Sequence, residues 1–292
     1  HILIDDTYDN SFHLKFNDIT RNSALGKDTL NGKIEDATGG KPILTTTDDY
    51  GDVTAGAVGT TDSNKSNLVL AIAGSGSIAD VHHTAKGSGS AKTVANEGAV
   101  ISTEQSRFYG SSLKFVSSET DRIVIEHADM AMGTGDLCVE FWVYNLTNKN
   151  YNAFVATRET GNSTEAGWIV ASNSSGYLYV HSNGAMAGSY TAEHVLPLNE
   201  WVHVAYTRAS GKHRLFMNGV AAATASTTSR NYTEDELTIG DNGYAQDEPL
   251  NAYVQNIKLY KGAAVYTANF KPPTRNDFTV NNLAHDTGPT AV

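Results

Sequence analysis

A single cysteine, Cys138, stands in 292 residues, which excludes an internal disulfide and any zinc site built on cysteines. Inside a strand pattern it reads as a small apolar filler rather than a nucleophile. No run of about 18 apolar residues exists, so no membrane-crossing helix is expected. Basic residues are scarce: Lys and Arg number 21 against 32 Asp and Glu, a formal net charge of -11. Without a basic run to displace counterions, the sequence gives no footprint for a nucleic-acid partner. Prolines number 6 and methionines 4, against 26 glycines. With frequent Ser, Thr and Asn, this suits an all-β chain with many tight turns. The first residue is His1, and HILIDDTY resembles neither a signal peptide nor a tag; the expectation is a portion of a longer polypeptide. Sequons such as the ones at Asn145 and Asn231 arise by chance at this Asn and Thr content.

What is present is alternation. GTGDLCVEFWVY (133–144) sets a glycine-rich bend before eight residues of strand. Leu137, Val139, Phe141 and Val143 fall on one parity and read as core; Cys138, Glu140, Trp142 and Tyr144 fall on the other. The second face is expected to meet a covering layer, the N-terminal arm being one source, with Glu140 hydrogen-bonded at its edge. Further strands are predicted over 66–74, 111–117, 121–127, 152–159, 167–172, 176–182, 200–208, 213–224, 236–241 and 251–260. Asn218-Gly219 lies between two alternating runs, a hairpin turn in which both residues need positive φ. Residues 1–61 carry one or two strands, SFHLKFND (11–18) among them, and otherwise polar turns, so they read as an extended arm or linker. Many short strands without a convincing helix mean a β-sandwich or barrel.

Several motifs then occur in order: GSSLKFVSSETDRIVIEH, GTGDLCVEFWVY, LPLNEWVHVAYTR, HRLFMNGV, TIGDNG and YVQNIKLYKGAAVYTANFKPP. Together they resemble a laminin-G-like, concanavalin-A-like domain over about residues 62–275. The resemblance implies a two-sheet antiparallel jelly-roll sandwich, with an arm over 1–61 and a linker over 276–292. KGAAVYTANFKPPT (261–274), with GTGD ahead of the EFWVY strand, is similar to such domains in structural proteins of tailed bacteriophages. That similarity implies a virion-surface component without enzymatic activity, on a capsid, fibre or tail. Its implied partners are other virion proteins or further copies of the chain; host-surface polysaccharide is the second possibility, with neither nucleic acid nor membrane insertion.

Related sandwiches include glycosidases, whose retaining chemistry needs two carboxyls about 5–5.5 Å apart. Glu119 and Asp121 share a parity but Glu126 does not, and Glu140 stands alone on its face, so a hydrolase is the least supported reading. GSGS, at 74–77 and 87–90, is neither a nucleophile elbow nor a dinucleotide loop. His82-His83 beside Asp80 reads as an exposed loop pair rather than a metal site. Family resemblance implies a structural calcium ion near Asp80, although Gln255 and Asn256 replace the usual acids of the last strand. The loop GDNGYAQDE, with Asp241, Asp247 and Glu248, is a second oxygen-rich candidate. For a glycan, an aromatic beside amides or carboxylates is needed; Tyr244 with Asn242 and Asp241 fits, as do Tyr151 and Tyr190 in polar loops. Trp142, Trp168 and Trp201 lie in strands and read as core.

Overall fold

The computed structural model describes residues 63–273, apart from 109, 118–120, 150, 158–166, 183–184, 187–194, 223–225, 228–229 and 244–247. The expected arm, its strand at 11–18 and the segment 276–292 lie outside the described residues. From the amino end come β1 (Leu68–Ile72), the one-turn helix α1 (His82–Lys86), β2 (Ala95–Glu97), β3 (Val100–Ser102), β4 (Ser112–Phe115) and β5 (Arg122–Glu126). Next are β6 (Leu137–Asn145), β7 (Asn152–Ala156), β8 (Ile169–Ser172), β9 (Leu178–Ser182), β10 (Ala185–Met186) and β11 (Trp201–Ala209). The series closes with β12 (Lys212–Met217), β13 (Val220–Ala221), β14 (Ser226–Thr227), β15 (Glu236–Ile239) and β16 (Ala252–Lys261).

These strands form two antiparallel sheets, so the expected sandwich is the one found. The larger runs β13-β12-β11-β6-β16-β4-β3, with β1 also on β16 and β14 on β12; the other runs β10-β9-β8-β7-β15-β5-β2. Between them lies one apolar core. Leu137, Val139, Phe141 and Val143 of β6 join Ile123, Ile125, Phe154 and Val155 of the opposite sheet, and Phe141 meets Phe154 at 5.7 Å between ring centroids. Burying each such side chain contributes about 1.5–3 kcal/mol. At one end, the bend before β6 turns the carbonyls of Gly133 and Gly135 onto the buried Arg208 guanidinium.

Two local features fix what each face displays. Asn218 and Gly219 take φ of 48° and 77°, the conformation the hairpin turn demands. In β16 the register on β6 slips by one residue, from Gln255 opposite Trp142 to Lys258 opposite Glu140. Asn256 sits in this bulge at φ 53°. Parity therefore changes along the strand: Val254, Ile257 and Leu259 all reach the core, while Lys258 is re-aimed to the outer face of the larger sheet.

Candidate functional site

The outer face of the larger sheet is where Cys138, Glu140, Trp142 and Tyr144 point. Most of it is sealed by residues 262–272, which cross β6, β11 and β12 as a strap. Thr207 Oγ1 donates to the Tyr266 carbonyl at 2.8 Å, and the Phe270 N–H donates to the Gly219 carbonyl at 2.9 Å. The Tyr266 and Phe270 rings stack 3.5 Å apart, and both pack on His203 and Phe216. Beneath the strap Glu140 is 2% exposed. It accepts from the Tyr266 hydroxyl at 2.7 Å and meets His203 Nε2 at 3.1 Å and Lys258 Nζ at 3.3 Å. Burial pushes its carboxyl up, but Lys258, His203 and Tyr266 outweigh that and hold it well below the usual carboxylate range. Glu140 is thus buried inside a network, not hydrogen-bonded at an edge. Its cover comes from the strap, whereas the N-terminal arm lies outside the described residues.

A second cover comes from the loop before β4. Gln255 clamps it, with Oε1 accepting from the N–H groups of Arg107 and Phe108 at 3.0 and 2.8 Å. Phe108 then packs edge-on against Trp142, at 5.8 Å. The rung beyond both covers stays partly open: Trp201, Tyr144 and Tyr253 lie side by side on β11, β6 and β16. Their ring centroids are 5.7 and 6.0 Å apart. Trp201 and Tyr144 are half-buried, so of the three tryptophans read as core, only Trp142 and Trp168 are fully so.

The same end of the sandwich carries a loop cluster rich in amides. Asn145, the last residue of β6, donates from Nδ2 to Asn148 Oδ1 at 2.9 Å; Asn152, the first of β7, donates to the Thr147 carbonyl at 2.9 Å. Asn251 reaches Thr147 Oγ1 at 3.3 Å. Donation to the Thr147 carbonyl fixes the orientation of the Asn152 amide, and Asn145 Oδ1 and Asn152 Oδ1 are buried with no hydrogen-bond partner. Orphaned buried acceptors call for a donor from water or ligand. Between them Tyr151 stands 46% exposed at φ 69°, a backbone strain of the kind stored at functional sites.

Of the glycan candidates, Asp241 and Asn242 follow β15 and lie at this end too, because β15 runs antiparallel to β7. Both are buried, and Asp241 Oδ1 accepts from the N–H groups of Asn242 and Glu248, so they shape the loop from within. Tyr190, Tyr244 and Asp247 lie outside the described residues. Asp80 is elsewhere, beside β1. Its carboxylate accepts from the N–H groups of Ala71, His82 and Lys92 and from His82 Nδ1 at 2.6 Å. Those bonds leave it as a hub for four donors. Asp80 and Asp241 belong to no group of three or more His, Cys, Asp or Glu side chains able to hold a metal among the described residues. Gln255, at the other calcium position, is spent on the loop clamp. His82 and His83 are not an exposed loop pair: they open α1, and His82 is buried on Asp80. Asp121 is buried and accepts from the Val116 N–H at 2.8 Å, whereas Glu126 is exposed; Glu119 lies outside the described residues.

A family profile described as concanavalin A-like lectin/glucanases superfamily matches residues 117–265, more than half of the chain. The chain belongs to that superfamily. Among solved structures, this concanavalin A-like domain is similar to the binding domain of Paraclostridial Mosquitocidal Protein 1, with TM-score 0.52 and 14% identity over 68% of this chain and 50% of that one. It is likewise similar to the binding domain of botulinum neurotoxin serotype D, with TM-score 0.52 and 14% identity over 70% of this chain and 51% of that one. The match therefore spans about half the length of these toxin domains. Domain 4 of AbnA, an extracellular arabinanase from Geobacillus stearothermophilus solved with arabinotriose, matches at TM-score 0.51 and 13% identity over 68% of this chain and 94% of that one. At these identities the likeness is one of fold. No curated protein sequence gives a match.

Sequence reasoning singled out Tyr151 but missed Asn145, Asn152, Tyr144 and Trp201. A Trp directly after the polar turn Asn199-Glu200, at a strand's first position, was the available signal of partial exposure.

Proposed function

We propose that this chain is a non-catalytic carbohydrate-binding module whose site is the amide-rich end. The observation that carries this reading is the exposed Tyr151 at the end of the sandwich where the amide acceptors Asn145 Oδ1 and Asn152 Oδ1 lie without partners. The exposed phenol ring and the half-buried Trp201 and Tyr144 suit the apolar face of a pyranose, and the buried acceptors can take a donor from a sugar hydroxyl relayed by water. Superfamily membership supports the reading, as does a fold neighbour solved with arabinotriose. The test is a glycan array followed by calorimetry on the full chain. Tyr151→Ala is expected to weaken the best hit about tenfold, corresponding to about 1.4 kcal/mol, with unchanged thermal stability. Absence of any hit, or a hit indifferent to Tyr151→Ala and Trp201→Ala alike, would reject the site.

We also propose display on a virion, with the chain assembling with copies of itself. The phage-like closing phrase at 261–274 supports this, as do the exposed β2 and the part-exposed β3, which end the two sheets among the described residues, with Val100 50% exposed. Open strand edges are templates for pairing. Sedimentation with and without EDTA tests it: a chelator-resistant oligomer is expected, and a monomer would count against it.

A further inference from the structure

The outer face carries a cation with no assigned work, Arg107. Arg107 is exposed, yet its guanidinium lies 4.6 Å from the Trp142 ring centroid and 5.1 Å from that of Phe108. Among the described residues it makes no ion pair and no side-chain hydrogen bond. The neighbouring cation is different: Lys114 Nζ is paired with Glu104, which also accepts from the Tyr253 hydroxyl. Arg107 is also held in place. Gln255 grips its backbone N–H, and Trp142 beneath it is fixed by β6, so the planar fork is oriented before any ligand arrives. Trp142 and Tyr144 share a face two residues apart, so the ring beneath the guanidinium is one rung, about 7 Å along β6, from the open aromatic row. In a chain of net charge -11, a stacked and unpaired guanidinium is a local positive point beside a surface suited to sugar rings.

We propose that Arg107 is an anion-recognition point that makes this module select an acidic saccharide, its fork pairing with a sugar carboxylate while the ring rests on the Trp201–Tyr144 row. The inference rests on the carbohydrate-binding reading and names its ligand class. A guanidinium binds a carboxylate through two parallel N–H bonds, which a neutral hydroxyl cannot reproduce.

The experiment uses the full chain and matched probes, 3′-sialyllactose against lactose and trigalacturonate against galactotriose, by calorimetry at about 50 mM salt. At least one acidic member is expected to bind about tenfold tighter than its neutral partner, an advantage that shrinks towards 1 M salt as charges are screened. Which pair shows it distinguishes a sialate from a uronate ligand. Arg107→Ala is expected to abolish that preference while leaving neutral binding in place, and Arg107→Lys to restore only part of it, since an ammonium lacks the fork. Equal binding of acidic and neutral members, or a preference untouched by Arg107→Ala, overturns this inference and leaves the carbohydrate reading standing. Silence of all four probes together with an empty glycan array overturns both.

Discussion

Glu140 shows how a single carboxylate is made tolerable inside a protein. Lys258 opposes its charge at Oε1, while the Tyr266 hydroxyl and His203 both meet Oε2. Replacing one partner of a buried pair is worse than replacing both, because the survivor is left charged and unpaired. Glu140→Gln is therefore expected to cost about 3–5 kcal/mol, read by urea denaturation, and the double change Glu140→Leu, Lys258→Met much less. The pH dependence has a definite sign. The folded carboxyl titrates below its ordinary value of 4.5, so its contribution is complete above about that pH and is lost as pH falls through it towards the folded value. Melting curves from pH 7 to 2 should show wild type losing its advantage over Glu140→Gln only below about pH 4.5. A constant advantage across that range would refute the assignment. From sequence, Glu140 looked solitary because its partners lie 63, 118 and 126 residues away. Local parity told its face but not its neighbours.

At the scale of elements, the bulge in β16 and the β12–β13 turn do the positioning. Ala252 and Val254 alternate in one frame, Ile257 and Leu259 in the other, so the frame change was written in NAYVQNIKLY; its purpose, bringing Lys258 over Glu140, required the pairing partner. Asn256 at φ 53° tolerates the left-handed backbone that a β-branched residue resists. Asn256→Val is expected to lose about 1–3 kcal/mol, and Asn256→Gly to be close to neutral, by thermal unfolding. At the turn, a side chain on Gly219 would collide with the Phe270 carbonyl, the strap's own anchor. Gly219→Ala should thus raise amide exchange across 262–272 more than in β6. Uniform exchange would mean the strap is held elsewhere. The turn was legible because Asn-Gly chemistry is local; the strap was not, since its apolar residues form no alternating run and its contacts are with distant strands.

Across the whole molecule, one core joins both sheets, and this is why the fold was readable while the site was only partly so. A core is spelled in every strand by parity, repeated until no other arrangement suits it. The proposed binding surface is a handful of side chains, Tyr151, Trp201, Asn145 and Asn152, gathered from strand ends and a loop, where alternation stops being informative. Phe141→Ala, opening a cavity between the sheets, is expected to cost about 3–5 kcal/mol. It should speed exchange in β5 and β15 as much as in β6; protection lost from one sheet alone would contradict a shared core. The order of synthesis adds a last consequence. β16 runs between β6 on one side and β4 with β1 on the other, yet it is the last in chain order of the described strands. Without β16 the larger sheet has three parts that share no ladder: β1, the pair β3–β4, and β6 with β11, β12, β13 and β14. Among the described strands the one that ties the larger sheet together is therefore synthesised last, and that sheet cannot be complete before residue 261 is made.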